Sequence, residues 1–321
     1  MKDGLLARIA RKAGVPELVE ALTERLSASE LQSLLLAVYE RRARAGTPGE
    51  LARRYAENRF VRPSSTSPDA FAAFDRLAYA LLPEGFEPLE LSPVAPFGAS
   101  SIVAGVSQNR IVTTSRNTEV AADLTNAMAL ECAHRRALSR LSTTGRSDPT
   151  ARVKLAASQR LVRAQPQMSP AQLPHFRLFA LCTAGRDEGA FRFETAALFE
   201  HADFYLRLLA ALRNEGRAIG AVRVPVTPLP DGPSAAALER EVVGPLVRAH
   251  PAVRVHLAPE REQGRGYYTG VCFHVQVADG KGEEWQLADG GLTTWTQQLA
   301  SDDKERLYIS GFGTERVLGF G

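Results

Sequence analysis

Cysteine is scarce: Cys132, Cys182 and Cys272 are the only three in 321 residues, and no two lie close together. An odd, scattered set builds neither a disulfide framework nor a zinc knuckle, and it points to a reducing compartment. No run of about 18 apolar residues is present to cross a bilayer, and the N-terminus lacks the basic-then-apolar pattern of a secretory signal. Excess charge of one sign is missing too. The 39 Lys and Arg against 36 Asp and Glu leave a formal +3, a thin electrostatic footprint for nucleic acid. There is no Gly-x-x-x-x-Gly-Lys phosphate loop and no Gly-x-Ser-x-Gly nucleophile elbow. Cys132 and His134, two apart on an expected helix, face different sides and make no metal pair. These absences predict a cytoplasmic globular protein with no metal site and no membrane contact, long enough for one large core or two.

What is present begins with helix signals. Ser27-Ala28-Ser29-Glu30 is a capping box, in which the serine hydroxyl and the glutamate each satisfy an orphan backbone N–H. Leu31, Leu34, Leu35, Val38 and Tyr39 follow it on one helical face. Thr47-Pro48-Gly49-Glu50 repeats the box with proline at the first helical position. Residues 1–62 carry 12 Lys and Arg against 8 Asp and Glu, a net +4. That charge fits a solvated helical face better than an RNA- or partner-docking module. Residues 62–68, Arg-Pro-Ser-Ser-Thr-Ser-Pro, read as a linker, which divides the chain into a helical segment, 1–62, and a core, 69–321. Helices are predicted over 69–82, 124–141 and 202–214, and an extended stretch over 86–94. Strands are predicted over 175–182, 191–199, 271–277 and 285–288. Strands pairing without crossover helices imply an α+β fold, an antiparallel sheet flanked by helices packed on one side.

Two segments carry chemistry of their own. In Gly311-Phe312-Gly313-Thr314-Glu315-Arg316, alternating glycines let a strand approach a ligand, and an arginine opening the next helix meets phosphates or a base. In Gly264-Arg265-Gly266-Tyr267-Tyr268-Thr269-Gly270, paired tyrosines beside glycines make flat apolar walls with hydroxyl tips for a small polar ligand.

The first segment resembles motif 3 of class II aminoacyl-tRNA synthetases, a resemblance that gives Arg316 a contact with ATP. The second resembles the histidine-specific motif of histidyl-tRNA synthetases and of their paralogue, the regulatory subunit of ATP phosphoribosyltransferase. It implies that Tyr267 and Tyr268 wall a small amino-acid-like substrate and that Arg265, or alternatively Arg261, is the catalytic arginine. His175-Phe176-Arg177-Leu178, the Gly185-Arg186 loop and Phe191 resemble the motif 2 hairpin. That likeness implies that Arg177, with Arg186, binds the nucleotide phosphates and that Phe191 stacks adenine, although Phe179 stands where the family has a glutamate. The stretch 69–82 with Phe86 to Pro93 resembles the dimer-forming motif 1, so a homodimer is implied. Ser115-Arg116-Asn117-Thr118-Glu119 resembles the Arg-Pro-Glu-Gly-Thr segment that holds the substrate amino group, which assigns that role to Glu119. Ala288-Asp289-Gly290-Gly291 lies where the family has Ala-Gly-Gly, and Leu292-Thr293-Thr294 replaces its Arg-Tyr-Asp.

The resemblance covers roughly residues 69 to 321 and implies ATP and Mg²⁺ as cofactors. The activity expected is that of an adenylate-forming ligase activating an amino acid or similar acid. The other expectation is a non-catalytic histidine-binding regulatory subunit. With Arg316 so near Gly321, no anticodon-binding domain is expected, so the acceptor is left open, and tRNA or a partner enzyme are the candidate partners.

Overall fold

The computed structural model describes residues 2–141, 151–164, 173–262 and 264–320. Both predicted capping boxes form. The Ser27 hydroxyl accepts from the Glu30 amide at 3.3 Å while the Glu30 carboxylate accepts from the Ser27 amide at 2.8 Å, and Thr47 and Glu50 do the same. They open α3 (Ala28–Arg44) and α4 (Pro48–Glu57), which follow α1 (Lys2–Lys12) and the short α2 (Leu18–Glu20). Ala10 is the one buried residue among the described side chains of residues 4–62. The helices are thus held by their caps and by a few contacts to the rest of the chain.

Helix α5 (Pro68–Ala80) starts with the Ser67 hydroxyl accepting from the Ala70 amide at 3.1 Å and buries Phe71, Phe74 and Ala78 at helical spacing. The chain continues through β1 (Phe86–Leu89), a small ribbon of β2 (Val94–Pro96) and β3 (Thr118–Val120), and α6 (Leu124–Leu141). Next come β4 (Val153–Val162), β5 (His175–Arg186), α7 (Arg192–Asn214) and β6 (Val222–Pro228). After α8 (Ala235–Leu238) and α9 (Gly244–Ala249) follow β7 (Arg254–Leu257), β8 (Thr269–Ala278), β9 (Glu284–Thr293), α10 (Trp295–Ala300), β10 (Glu305–Gly313) and α11 (Thr314–Leu318).

Eight strands form one sheet in the order β1-β4-β5-β10-β9-β8-β6-β7. Every pairing is antiparallel except β1 with β4 and β6 with β7 at the two edges. The α+β expectation holds, with one correction: helices pack on both faces. Side chains of β10 show why, since they alternate with period two. Tyr308 and Phe312 join α7 residues Phe204, Tyr205 and Leu208 in one core, while Leu307 and Ile309 join Met128 and Cys132 of α6 in the other. Phe179, Phe204, Tyr205 and Phe312 are fully buried in the first core, and Phe204 stacks on Phe179 at 5.5 Å. Each such ring contributes about 1.5–3 kcal/mol of burial.

The predicted strand over 191–199 is overturned. Phe191 takes a left-handed conformation (φ 57°) and precedes α7, whose residues Phe193, Ala197, Leu198 and His201 face the sheet at helical spacing. The hairpin containing Arg177 therefore pairs β5 with β4, which the sequence reading missed, and not with a strand beginning at Phe191. Pro225 sits inside β6, and the β6–β8 pairing passes from Arg223↔Gln276 to Val226↔Phe273 in an unchanged register, skipping this residue that has no N–H.

Candidate functional site

A cavity of about 620 Å³ opens on the α6 face of the sheet, bordered by β5, β9 and β10, the start of α6 and the turn before β8. Its floor is bare because Gly311 carries no side chain. A Cβ built there meets no atom within 4 Å, so any other residue would project into the ligand space. Gly291, one strand over, has the opposite reason to be glycine. A Cβ there would stand 2.6 Å from the Tyr268 ring and 2.8 Å from the Cys272 Cβ.

The turn from Gly264, whose carbonyl accepts from both tyrosine amides at 3.1 and 3.0 Å, sets Tyr267 and Tyr268 into the cavity wall. Their rings meet edge to face at 4.9 Å, and Tyr267 leans edge-on against Trp295 at 5.6 Å. Burial drives both phenols above their ordinary range, so they stay neutral hydrogen-bonding tips.

Two carboxylates line the cavity. Asp123 immediately precedes α6, its Oδ1 accepting from the Thr125 amide and hydroxyl at 3.0 and 2.8 Å. Asp289 of β9 is pushed above the usual carboxylate range first by burial and then by the charge of Asp123, a pair of like charges that a bound cation would relieve. Arginines complete the lining. Arg316 opens α11 and donates from Nη1 to the Gln286 carbonyl at 2.8 Å. Arg163, just past β4, donates from Nη2 to Asp123 at 3.3 Å and lies 5.0 Å over the Phe176 ring.

Of the residues expected from sequence, the cavity brings together Arg177, Tyr267, Tyr268 and Arg316. Arg177 borders it but turns its guanidinium to α5, donating to Asp75 at 2.6 Å and to the Ser158 hydroxyl at 2.9 Å. The other four lie elsewhere. Arg186 pairs with Asp302 at 2.9 Å and Glu305 at 3.4 Å. Phe191 and Arg265 line a second cavity, where the Arg265 guanidinium donates to the carbonyls of Arg261 and Pro259. Glu119 is buried, and its carboxylate accepts from the amides of Gly98 and Ser100 at 2.9 and 2.8 Å and from Gln108 at 3.0 Å. Burial works to raise that carboxyl, but these bonds together hold it below its ordinary value, and they leave it fixing the backbone at 98–100.

Sequence reasoning missed Asp123, Asp289, Arg163 and Phe176. Asp123 had a signal: it stands two residues before Thr125 where α6 begins, the same spacing as the glutamate and threonine of Arg-Pro-Glu-Gly-Thr, four residues beyond Glu119. Arg163 had none once β4 was missed. Arg261, the alternative to Arg265, is the arginine turned inward. Its Nε and Nη1 are buried without a hydrogen-bond partner, and its charge acts on Cys272, His274 and Asp289. His274 is held neutral, its pKa lowered to about 3 by burial and by that arginine. Among the described residues no three His, Cys, Asp or Glu side chains gather to hold a metal ion. Nor is any helix among the described residues long and apolar enough to cross a membrane.

Sheet order, a helix on each face and a Gly-x-Gly strand running into an arginine-bearing helix define the class: this is the fold of class II aminoacyl-tRNA synthetase catalytic cores. Solved histidyl- and threonyl-tRNA synthetase structures share this fold. Apo histidyl-tRNA synthetase of S. aureus superposes with a TM-score of 0.55 at 12% identity, over 79% of this chain and 67% of that one. An ATP phosphoribosyltransferase regulatory subunit/histidyl-tRNA synthetase from Bacillus halodurans gives 0.57 at 13% identity, over 80% and 81%. A structure of threonyl-tRNA synthetase from Cryptosporidium parvum, described as its RNA binding domain, gives 0.54 at 10%, over 78% and 62%. No family model and no curated protein sequence matches the chain.

Proposed function

We propose that the chain is an ATP-dependent enzyme that activates a small amino acid as its acyl-adenylate. The observation carrying this reading is the division of the cavity into two chemistries. Arg316 stands beside the bare strand, its Cδ 3.5 Å from where a Gly313 Cβ would be, whereas Asp123, Asp289 and the two tyrosines form an acidic and hydroxyl-bearing group joined to the phosphate side by Arg163, which bonds Asp123 at 3.3 Å. Arginines beside a floor without side chains suit a nucleotide's phosphates and base. Two carboxylates that repel one another suit a substrate ammonium.

In the step proposed, a carboxylate oxygen of the amino acid forms a bond to the α-phosphorus, and the bond to the pyrophosphate bridging oxygen breaks with its electron pair leaving on pyrophosphate. Arg163 would hold the α-phosphate in place of the Arg177 first expected there, with Phe176 backing its guanidinium. Arg316 would hold the triphosphate tail. Arg261 would neutralise charge on the reacting carboxylate or phosphate, a preorganised cation acting where charge develops. Mg²⁺ would arrive with the nucleotide's phosphates, and no step here depends on it.

A second reading is favoured by one observation: Arg177 is locked on Asp75. A site with one of its expected phosphate cations turned away also suits a protein that binds an amino acid without chemistry, as a regulatory subunit does. ATP–pyrophosphate exchange with each of the twenty amino acids separates the two. Exchange with any of them, lost in Asp123→Asn and Arg163→Ala, supports the enzyme. Amino-acid binding without exchange supports the regulator.

A further inference from the structure

Behind Tyr268 lies a second cavity of about 530 Å³, and the same ring walls both. It forms where the 229–231 loop, the start of β8, the end of β9 and the first turn of α7 meet. The loop crosses β8 so closely that a Cβ on Gly232 would stand 1.9 Å from the Gly270 carbonyl oxygen, which fixes the outer wall. Leu229, Pro230, Leu292, the Phe191 ring and the Tyr268 ring give it an apolar body. Phe191 keeps 38% of its surface exposed there, although its left-handed backbone is one that a bulky residue rarely adopts.

The polar groups of this cavity are unevenly matched. Its donors are engaged: Arg306 bonds Glu194, Asp187 and the Asp303 and Glu305 carbonyls, and Arg265 bonds the carbonyls of Arg261 and Pro259. Its acceptors are not. Glu194 is 2% exposed, and while its Oε1 accepts from Arg306 at 2.9 Å, its Oε2 is buried with no hydrogen-bond partner. Among the described residues the Asp231 carboxylate, at the rim, has no ion pair. A buried carboxylate oxygen left without a donor costs about 1–3 kcal/mol or more, and native folds retain such atoms where something else satisfies them.

We propose that this cavity is a second ligand site, separate from the nucleotide cavity, for a small molecule with an aromatic or aliphatic body and one ammonium group. The body packs between Leu229, Leu292 and the outer side of Tyr268, and the ammonium donates to Glu194 Oε2, with Asp231 adding attraction at the mouth. An anionic ligand of the same shape meets two carboxylates and is rejected, and a neutral alcohol gains the packing without the charged bond.

Calorimetric titration of the full chain with phenethylamine, 2-phenylethanol and phenylacetate tests this. Phenethylamine is expected to bind about tenfold or more tighter than the alcohol, with phenylacetate weakest, as a charge-assisted bond requires. Glu194→Gln, which keeps the side-chain shape, is expected to bring the amine down to the level of the alcohol. Gln297→Trp fills the cavity from a half-exposed position on α10 and is expected to abolish binding of both, independently of how Glu194→Gln folds. Asp123→Asn, in the nucleotide cavity, is expected to leave phenethylamine affinity within about twofold of wild type. Loss of amine binding in Asp123→Asn would place the amine in the other cavity and overturn the proposal. Binding that survives Gln297→Trp, or phenylacetate binding as tightly as the amine, would overturn it equally.

Discussion

His201 stands in the α7 core, its Nε2 2.9 Å from the Thr183 hydroxyl and its Nδ1 2.8 Å from the Ser310 hydroxyl, which the Tyr205 hydroxyl also meets at 2.8 Å. Burial, and secondarily the charge of Lys154, lowers its pKa from 6.5 to about 3. The ring is neutral in the native protein at any pH above about 4, whereas in the unfolded chain it protonates below 6.5. The unfolded state therefore binds the extra proton, and stability falls as pH drops through 6.5 toward 3. At pH 5.5, one unit below the unfolded value, the loss is about 1.4 kcal/mol, and it hardly depends on the native value so long as that lies below 5. His201→Gln keeps a hydrogen-bonding side chain of similar reach and removes the titration. Urea unfolding at pH 7.5 and 5.5 is expected to show wild type losing about 1.4 kcal/mol more than the variant, a difference of about 0.5 M in midpoint for a slope near 3 kcal/mol/M. His274, also lowered to about 3, titrates alike in both proteins and cancels. Equal losses within about 0.3 kcal/mol would refute the placement of His201 as a buried neutral ring.

Arg136 of α6 and Glu305 at the start of β10 form a two-bonded buried pair at 3.0 and 2.9 Å, their side chains 3% and 0% exposed. Arg136→Met takes from the buried carboxylate its two shortest charge-assisted bonds, leaving Arg186 at 3.4 Å, and the urea midpoint should fall by the equivalent of about 3 kcal/mol. Gly291→Ala forces a methyl against Tyr268 and Cys272 and should cost about 1–3 kcal/mol in the same assay, with weakened binding of any ligand that touches Tyr268. Deleting residues 1–58 removes helices that bury almost nothing, so the core's unfolding midpoint should change by less than about 1 kcal/mol. A larger change would show that the helical segment is integral to the core.

Elements with a local code were legible in the sequence. The boxes at Ser27 and Thr47, the proline-led start of α5 and the Gly-x-Gly end of β10 each carry their own instruction within a few residues. Phe191–Phe199 was misread because a short apolar cluster fits a buried strand and a buried helix equally, and only the spacing of Phe193, Ala197 and His201 against the sheet decides. Val153–Val162 gives no alternation to read, since Leu155 and Ala156 are buried on opposite faces. The site was half legible for the same reason. Tyr267, Tyr268 and Arg316 sit in local motifs, whereas Asp289, Arg163 and Phe176 become neighbours through strand pairing alone, and Arg177 is diverted by Asp75, 102 residues away in sequence.

The claim on which the rest stands is that the cavity over Gly311 takes ATP between Arg163 and Arg316. Calorimetric titration of ATP into wild type, Arg316→Ala and Arg163→Ala tests it most directly. Saturable binding in wild type, weakened about tenfold or more in each variant while both keep the wild-type melting profile, is the result predicted. No ATP binding by the wild-type protein, or binding that neither substitution alters, would contradict it.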